Sequence, residues 1–231
     1  NSKQKTKLVQ NVFSSVAPNY DIMNDLMSLG MHRLWKKRFV ETVDLRENEI
    51  VLDVGSGSGD IASEILKENI PTSLYLLDLN EEMLLEGRKR LKKEKNIKYF
   101  IGNAEKLNFE NNFFDKYTIS FCLRNVTEYL LSIKEAYRVL KPGGKYCCLE
   151  FSTPKSSLVS SSYKIYKSKI LPLLGEIVAK DKNAYKYLSE SIDLFPSQEE
   201  LSKNLRDCGF TKVETINLFN GIVAIHTGFK L

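Results

Sequence analysis

Three alternating glycines and two acids crowd one short stretch of this 231-residue chain, Asp53-Val-Gly-Ser-Gly-Ser-Gly-Asp60, with Gly55, Gly57 and Gly59 as the glycines. Such a turn lets backbone come close to a nucleoside. The dinucleotide pattern GxGxxG, begun at Gly55, needs a third glycine where Asp60 stands, and the phosphate loop GxxxxGK[ST] is absent. Charge separates the remaining readings. A diphosphate ~4–6 Å from two carboxylates is repelled by roughly 1–4 kcal/mol per unit pair, whereas a cation is attracted. S-adenosylmethionine fits, because its ammonium and sulfonium are positive and it carries no phosphate. Asp78 ends a later apolar run, where a carboxylate can accept both ribose hydroxyls. Asn103 and the Ala104 backbone are placed to meet the adenine, and Ser120 the methionine end. Asp53, Gly55, Gly59, Asp78, Asn103, Ala104 and Ser120 are thus cofactor candidates, and no metal site is expected.

These residues need elements to position them. Ile50–Val54 is an apolar run of buried-strand type, and an apolar-periodic helix follows near 60–69. Leu74–Asp78 is a second strand. Asn80 is set to cap the next helix, with Glu81 and Glu82 in its first turn. Ile97–Ile101 and Lys116–Phe121 are further strands, and 127–140 a helix. Lys141-Pro-Gly-Gly144 makes a tight turn before a fifth strand, Lys145–Phe151. Alternation of strand and helix implies a doubly wound parallel sheet. Asn220-Gly221 between two apolar runs, 212–218 and 222–229, signals a closing antiparallel hairpin. Helical periodicity is also expected over the first 45 residues, interrupted at Pro18, with one stretch at 33–43.

Composition sets bounds. Hydrophobic residues make up 42% and charged residues 27% of the chain, which excludes a disordered, collagenous or low-complexity protein. No apolar run approaches the ~20 residues of a membrane span. Cys122, Cys147, Cys148 and Cys208 form no CxxC, so reduced thiols are expected, with the adjacent Cys147 and Cys148 on opposite faces of their strand. The net charge of +5 resides in one place: residues 155–186 carry seven Lys against two acids, so the remainder is neutral. Bulky apolar residues, among them Ile165, Ile170 and Leu174, are interleaved there. Such a segment can rest on an anionic membrane surface, the alternative being a solvated face. No nucleic-acid recognition motif appears. The start NSKQKTK has no apolar core, so no signal peptide is read, while a removed transit peptide is compatible with it.

Two longer stretches carry a family resemblance. Tyr20-Asp-Ile-Met-Asn-Asp-Leu-Met-Ser28, running on to His32 and Trp35, resembles the first signature of the UbiE/MenG-type quinone-biosynthesis C-methyltransferases, and Arg138 through Ser152 (RVLKPGGKYCCLEFS) resembles the second. Phe121–Val126 (FCLRNV), Tyr185–Ile192 (YKYLSESI) and Gly221–His226 (GIVAIH) are similar to the same family. The resemblance implies one domain over 1–231 with the class I S-adenosylmethionine-dependent methyltransferase (Rossmann-like) fold, α/β with a mostly parallel seven-stranded sheet and an antiparallel C-terminal hairpin. It adds Ser58 to the cofactor residues. A helical lid over about 1–45, bearing Tyr20, Met23 and Asn24, and a substrate- or membrane-facing helical insertion over about 153–195 are also implied. Cys122 stands where relatives often have Gly, which narrows the pocket.

The implied reaction is methylation of a ring carbon of a prenylated quinol. A neutral aromatic carbon is a poor nucleophile, so a ring hydroxyl must lose its proton, and a base is wanted. Only the reduced quinol has the electron density. Candidates are His32, or the pair Arg124 and Asn125; Arg stays protonated and would work by orienting water and stabilising the phenolate. His226 reads as structural. A benzoquinol of the ubiquinone pathway is favoured over a naphthoquinol of the menaquinone pathway, with peripheral membrane contact through 155–182 on the matrix side of the mitochondrial inner membrane, or a cytoplasmic setting in a prokaryote. Homodimers and larger quinone-synthesis assemblies are the further partners implied. Rival readings are a methyltransferase of another small molecule and a non-catalytic assembly member.

Overall fold

The computed structural model describes residues 24, 25, 28, 30–154, 166 and 182–231. Tyr20 and Met23 lie outside the described residues, and so does the basic segment from 155 to 181 apart from Tyr166. The elements are α1 (Met31–Val43), β1 (Ile50–Val54), α2 (Asp60–Lys67), β2 (Ser73–Asp78), α3 (Glu81–Arg90), β3 (Ile97–Ile101), β4 (Phe114–Ser120), α4 (Tyr129–Val139), β5 (Leu140–Phe151), α5 (Lys182–Asp193), α6 (Gln198–Asp207), β6 (Thr211–Leu218) and β7 (Val223–Phe229). Short 3-10 turns occupy Leu123–Asn125 and Phe219–Gly221.

Seven strands make one sheet in the order β3-β2-β1-β4-β5-β7-β6. The first five pair in parallel, and β7 runs antiparallel to both β5 and β6. The closing hairpin expected at Asn220-Gly221 is present, with Asn220 in the left-handed region at φ 57. Alternation along each strand feeds two apolar layers. Leu52, Val54 and Cys148 enter one, while Val51, Cys147 and Leu149 enter the other. The adjacent cysteines therefore face opposite ways, and all four are free thiols.

Local signals explain the helix starts. Asn80 accepts from Met83 N at 3.1 Å, and Ser197 accepts from Glu200 N at 3.1 Å, each satisfying an N-terminal donor. α1 buries Trp35, Phe39, Val40 and Val43 on one face and packs on α2 and β5. This part of the expected lid is core structure. One boundary differs from the sequence reading. The Lys141–Gly144 turn does not precede the fifth strand but lies within β5: Leu140 pairs with Phe114 and Lys145 with Lys116, and the ladder shifts between them. The extra residues bulge outward, with Gly143 at φ 83. No helix among the described residues is long and apolar enough to cross a membrane.

Candidate functional site

β2 flanks β1 on one side and β4 on the other, so the loops leaving β1 and β4 diverge and open a crevice at the carboxyl ends of the strands. The cleft holds about 820 Å³ of empty space including its mouth, a size suited to a small molecule and its partner substrate. Gly55 and Gly57 form its floor. Asp78, Asn80 and Met83 form one wall with Asn103, Ala104 and Glu105, and Ser120, Phe121, Cys122, Asn125 and Thr127 form the other.

The glycine loop is bound to β2. Gly55 N and Ser56 N both donate to Leu77 O, at 2.8 and 3.1 Å. Gly55 and Gly57 lie at φ 64 and 53, a region L side chains avoid. A Cβ at Gly55 would also collide with Cys122, and one at Gly59 would stand 2.8 Å from Leu91 Cδ1. Gly59 thus serves the packing of α3 and, like Ser58, is absent from the cleft wall.

Asp78 closes β2. Its Oδ2 accepts from Gly57 N and its Oδ1 from Asn80 N, both at 2.8 Å. Burial raises its pKa, and these backbone amides oppose the rise. Each carboxylate oxygen keeps a second lone pair for a ligand hydroxyl. Asn103 Oδ1 caps its own turn by accepting from Glu105 N at 2.9 Å.

Asp53 lies beneath the loop. Its Oδ1 accepts from Thr118 Oγ1 at 2.8 Å, and burial, eased by that bond and reinforced by Asp78, pushes its pKa up to about 7. Four buried oxygens here have no hydrogen-bond partner: Asp53 Oδ2, Ser56 Oγ, Ser58 Oγ and Ser120 Oγ. Buried polar atoms are ordinarily bonded. Of the four, Ser120 lines the cleft; its hydroxyl, the buried charge of Asp53 beneath the loop and Asp78 suit the carboxylate, ammonium and ribose of S-adenosylmethionine.

Asp60 does not offer its charge to the loop, because it is paired with Lys36 and Arg90. Burial would raise its pKa, but those two cations hold it below the usual carboxylate value. Asp53 and Asp78 remain as the acids at the glycine loop.

The opposite wall is built by the turn after β4. Phe121 sits at φ 51, strained for an aromatic residue, and packs against Trp35 and Phe151. Arg124 stands one layer behind the cleft. Its Nη1 donates to Glu150 Oε1 at 2.8 Å and to Phe121 O at 2.5 Å, and its guanidinium lies over the Phe151 ring. Glu150 Oε2 accepts from Arg124 N at 3.3 Å. Burial raises the Glu150 pKa, against the pull of Arg124. Asn125, not Arg124, reaches the cleft, and Tyr187 from α5 donates to its Oδ1 at 3.1 Å.

His32 lies on α1 and is not a cleft-lining residue. Its Nε2 is 2.8 Å from Asp25 Oδ1, and burial followed by the Lys36 charge lowers its pKa. His226 is buried in β7 against Gln198 O at 3.2 Å, the structural placement expected. Asn24 belongs to the described residues and its backbone oxygen accepts from Ser28 Oγ at 2.7 Å. Glu150 and Tyr187 were not singled out from the sequence, although Glu150 is the lone acid in an apolar strand run, which was a signal available to read. No group of three or more His, Cys, Asp or Glu among the described residues is set to hold a metal.

Comparison with known proteins matches residues 1–230 to the model of the ubiE/COQ5 methyltransferase family. The Ubiquinone/menaquinone biosynthesis C-methyltransferase UbiE of Rickettsia bellii (strain RML369-C) is 49% identical over 239 residues, covering 100% of this chain and 95% of that protein. The protein of the same description from Rickettsia prowazekii is 48% identical, covering 99% and 94%. Among solved structures, a SAM-dependent methyltransferase from Aquifex aeolicus superposes with a TM-score of 0.65 at 18% identity, over 91% of this chain and 98% of that one. Haemonchus contortus phosphoethanolamine N-methyltransferase 2, in complex with S-adenosylhomocysteine, gives 0.65 at 17% identity over 84% and 52%. At these identities the structural likeness speaks for the fold.

Proposed function

The chain belongs to the ubiE/COQ5 methyltransferase family, and from that premise we propose that it is an S-adenosylmethionine-dependent C-methyltransferase whose substrate is the ring of a 2-methoxy-6-polyprenyl-1,4-benzoquinol in ubiquinone biosynthesis. The observation that carries the reading is the cleft, whose lining brings Asp78 and Ser120 together with Asn125. When bound, S-adenosylmethionine supplies an electrophilic methyl on a positive sulfur. Asp78 holds the ribose hydroxyls, Asn103 and Ala104 the adenine, and Gly55 and Ser120 the amino-acid end, with the charge of Asp53 behind them. Asn125 donates to the ring oxygen that loses its proton, and Arg124 holds that turn in place from behind. Water accepts the proton. Tyr20, Met23 and Asn24 close over the pocket.

The relatives' description spans ubiquinone and menaquinone, so a demethylmenaquinol is the second substrate. A non-catalytic role in a quinone-synthesis assembly is disfavoured by the intact Asp78 and glycine loop. The prenyl tail calls for a lipid surface, and we assign that contact to residues 155–182, on the matrix side of the mitochondrial inner membrane; the bacterial relatives make the cytoplasm the alternative. Methylation with labelled S-adenosylmethionine of a reduced benzoquinol and a reduced naphthoquinol, each with a short prenyl tail, tests the reading. The benzoquinol is expected to be labelled faster. Preference for the naphthoquinol moves the protein to the second substrate, and labelling of neither removes both.

A further inference from the structure

Tyr187 sits in the Tyr185–Ile192 motif, to which the chemistry above gives no task. α5 packs against the Leu123–Asn125 turn, and the Tyr187 hydroxyl reaches Asn125 Oδ1 at 3.1 Å. The other end of that amide faces Phe121 O, with Nδ2 3.4 Å away. A backbone carbonyl only accepts, so the end that faces it is the amino group and the end that faces the phenol is the oxygen. Two partners thus fix the amide in one orientation. Its second N–H has no acceptor among the described residues, on a side chain that lines the cleft.

We propose that Tyr187 is a positioning residue for ring deprotonation, holding the Asn125 amide with its amino end toward the cleft. This rests on the quinol reading and extends it to a named residue outside the glycine loop. As the ring O–H bond breaks, the proton passes to water and the electron pair stays on the ring oxygen. Asn125 donates a hydrogen bond to that oxygen and keeps its own proton. Without the phenol the amide is free to turn, and its carbonyl would then repel the forming phenolate. Among the described residues, the titratable groups facing Tyr187 are Arg124, Cys122 and Glu150. Burial raises the Tyr187 pKa, so the phenol stays a donor at neutral pH.

The test uses the full chain with 4-nitrophenol, whose ionised form absorbs visible light, beside turnover of the benzoquinol. Wild-type protein lowers the ionisation midpoint of bound nitrophenol. Tyr187→Phe moves it back toward the free value and lowers kcat about tenfold, the size of one ordinary hydrogen bond, with KM for S-adenosylmethionine unchanged. Combined with Asn125→Ala it adds nothing to Asn125→Ala alone. Tyr187→His keeps a ring donor, restores part of the midpoint shift, and decides the matter if Tyr187→Phe does not fold. A Tyr187→Phe midpoint equal to wild type, a wild-type midpoint equal to free nitrophenol, or additive losses in the double variant each overturn the inference. A wild-type protein that shifts nitrophenol yet methylates no quinol overturns the substrate reading and leaves the phenol site standing.

Discussion

Arg124 Nη1 and Glu150 Oε1 are 2.8 Å apart, and the two side chains are only 6% and 2% exposed. They join the turn after β4 to the end of β5. Removing one partner of a buried pair strands the other, at about 3–5 kcal/mol. Glu150→Ala is expected to lose stability of that order in denaturant titration. Replacing the pair with Arg124→Met and Glu150→Leu together recovers most of the stability and little of the turnover. Recovery of both would show that the pair serves folding alone.

Asp78→Ala leaves Gly57 N and Asn80 N without their acceptor and removes the ribose ligand. Calorimetry is expected to show at least a hundredfold weaker S-adenosylmethionine binding, about the worth of two charge-assisted hydrogen bonds. Arg124→Ala keeps that affinity within severalfold and stops turnover. Equal loss of binding in the two variants would place Arg124 in the cofactor site.

Asp53 titrates at about 7 in the free protein, because burial resists its charge. A cationic ligand needs the ionised form. S-adenosylmethionine affinity therefore rises with pH, up to tenfold per unit, and levels off above about 7. Asp53→Asn binds more weakly and with a flat profile. A wild-type affinity independent of pH between 5 and 8, as in the variant, would break the link between this carboxylate and the ligand; both ends of that window are set at about two units below and one above the midpoint.

His226 works in the other direction on stability. Burial lowers its pKa to about 4 from the ordinary imidazole value of about 6.5, and the Gln198 carbonyl opposes the fall. The unfolded chain binds the proton more readily. Stability present above about 6.5 is therefore lost as pH falls toward 4, by roughly 3 kcal/mol. Asp53 favours the folded state at low pH, so the comparison is wild type against His226→Gln across that window. Parallel curves would discard the imidazole as the cause.

Residues 155–182 are expected to bind vesicles containing an anionic lipid, and to release them as salt rises, because surface charge is screened over about 10 Å at 0.1 M. Sedimentation with and without salt reads this directly. Binding that ignores salt, or none, argues against the basic segment.

Much of the fold was legible because its signals are local. The apolar runs at Ile50–Val54 and Leu74–Asp78, the Asn80 cap and the Asn220-Gly221 turn all depend on neighbours within a few residues. The glycine loop and Asp78 were legible for the same reason. What stayed hidden depends on distant chain. Asp60 reads as a free acid until Lys36 and Arg90 arrive from two other helices. Arg124 reads as a cleft residue until Glu150, on the neighbouring strand, draws it behind Asn125. The Lys141–Gly144 turn looks like a break, and only the pairing of Leu140 with Phe114 makes it a bulge.

Cys147 and Cys148 sit back to back on β5 in the middle of the sheet, each 0% exposed and each in a different layer. A thiol reagent arriving from either side meets a full apolar layer first. Detaching the layer on one face bares one sulfur only, and the pair is bared together only when both faces open. The rate at which this pair is alkylated is accordingly a gauge of whole-molecule opening, written into the chain by two neighbouring residues.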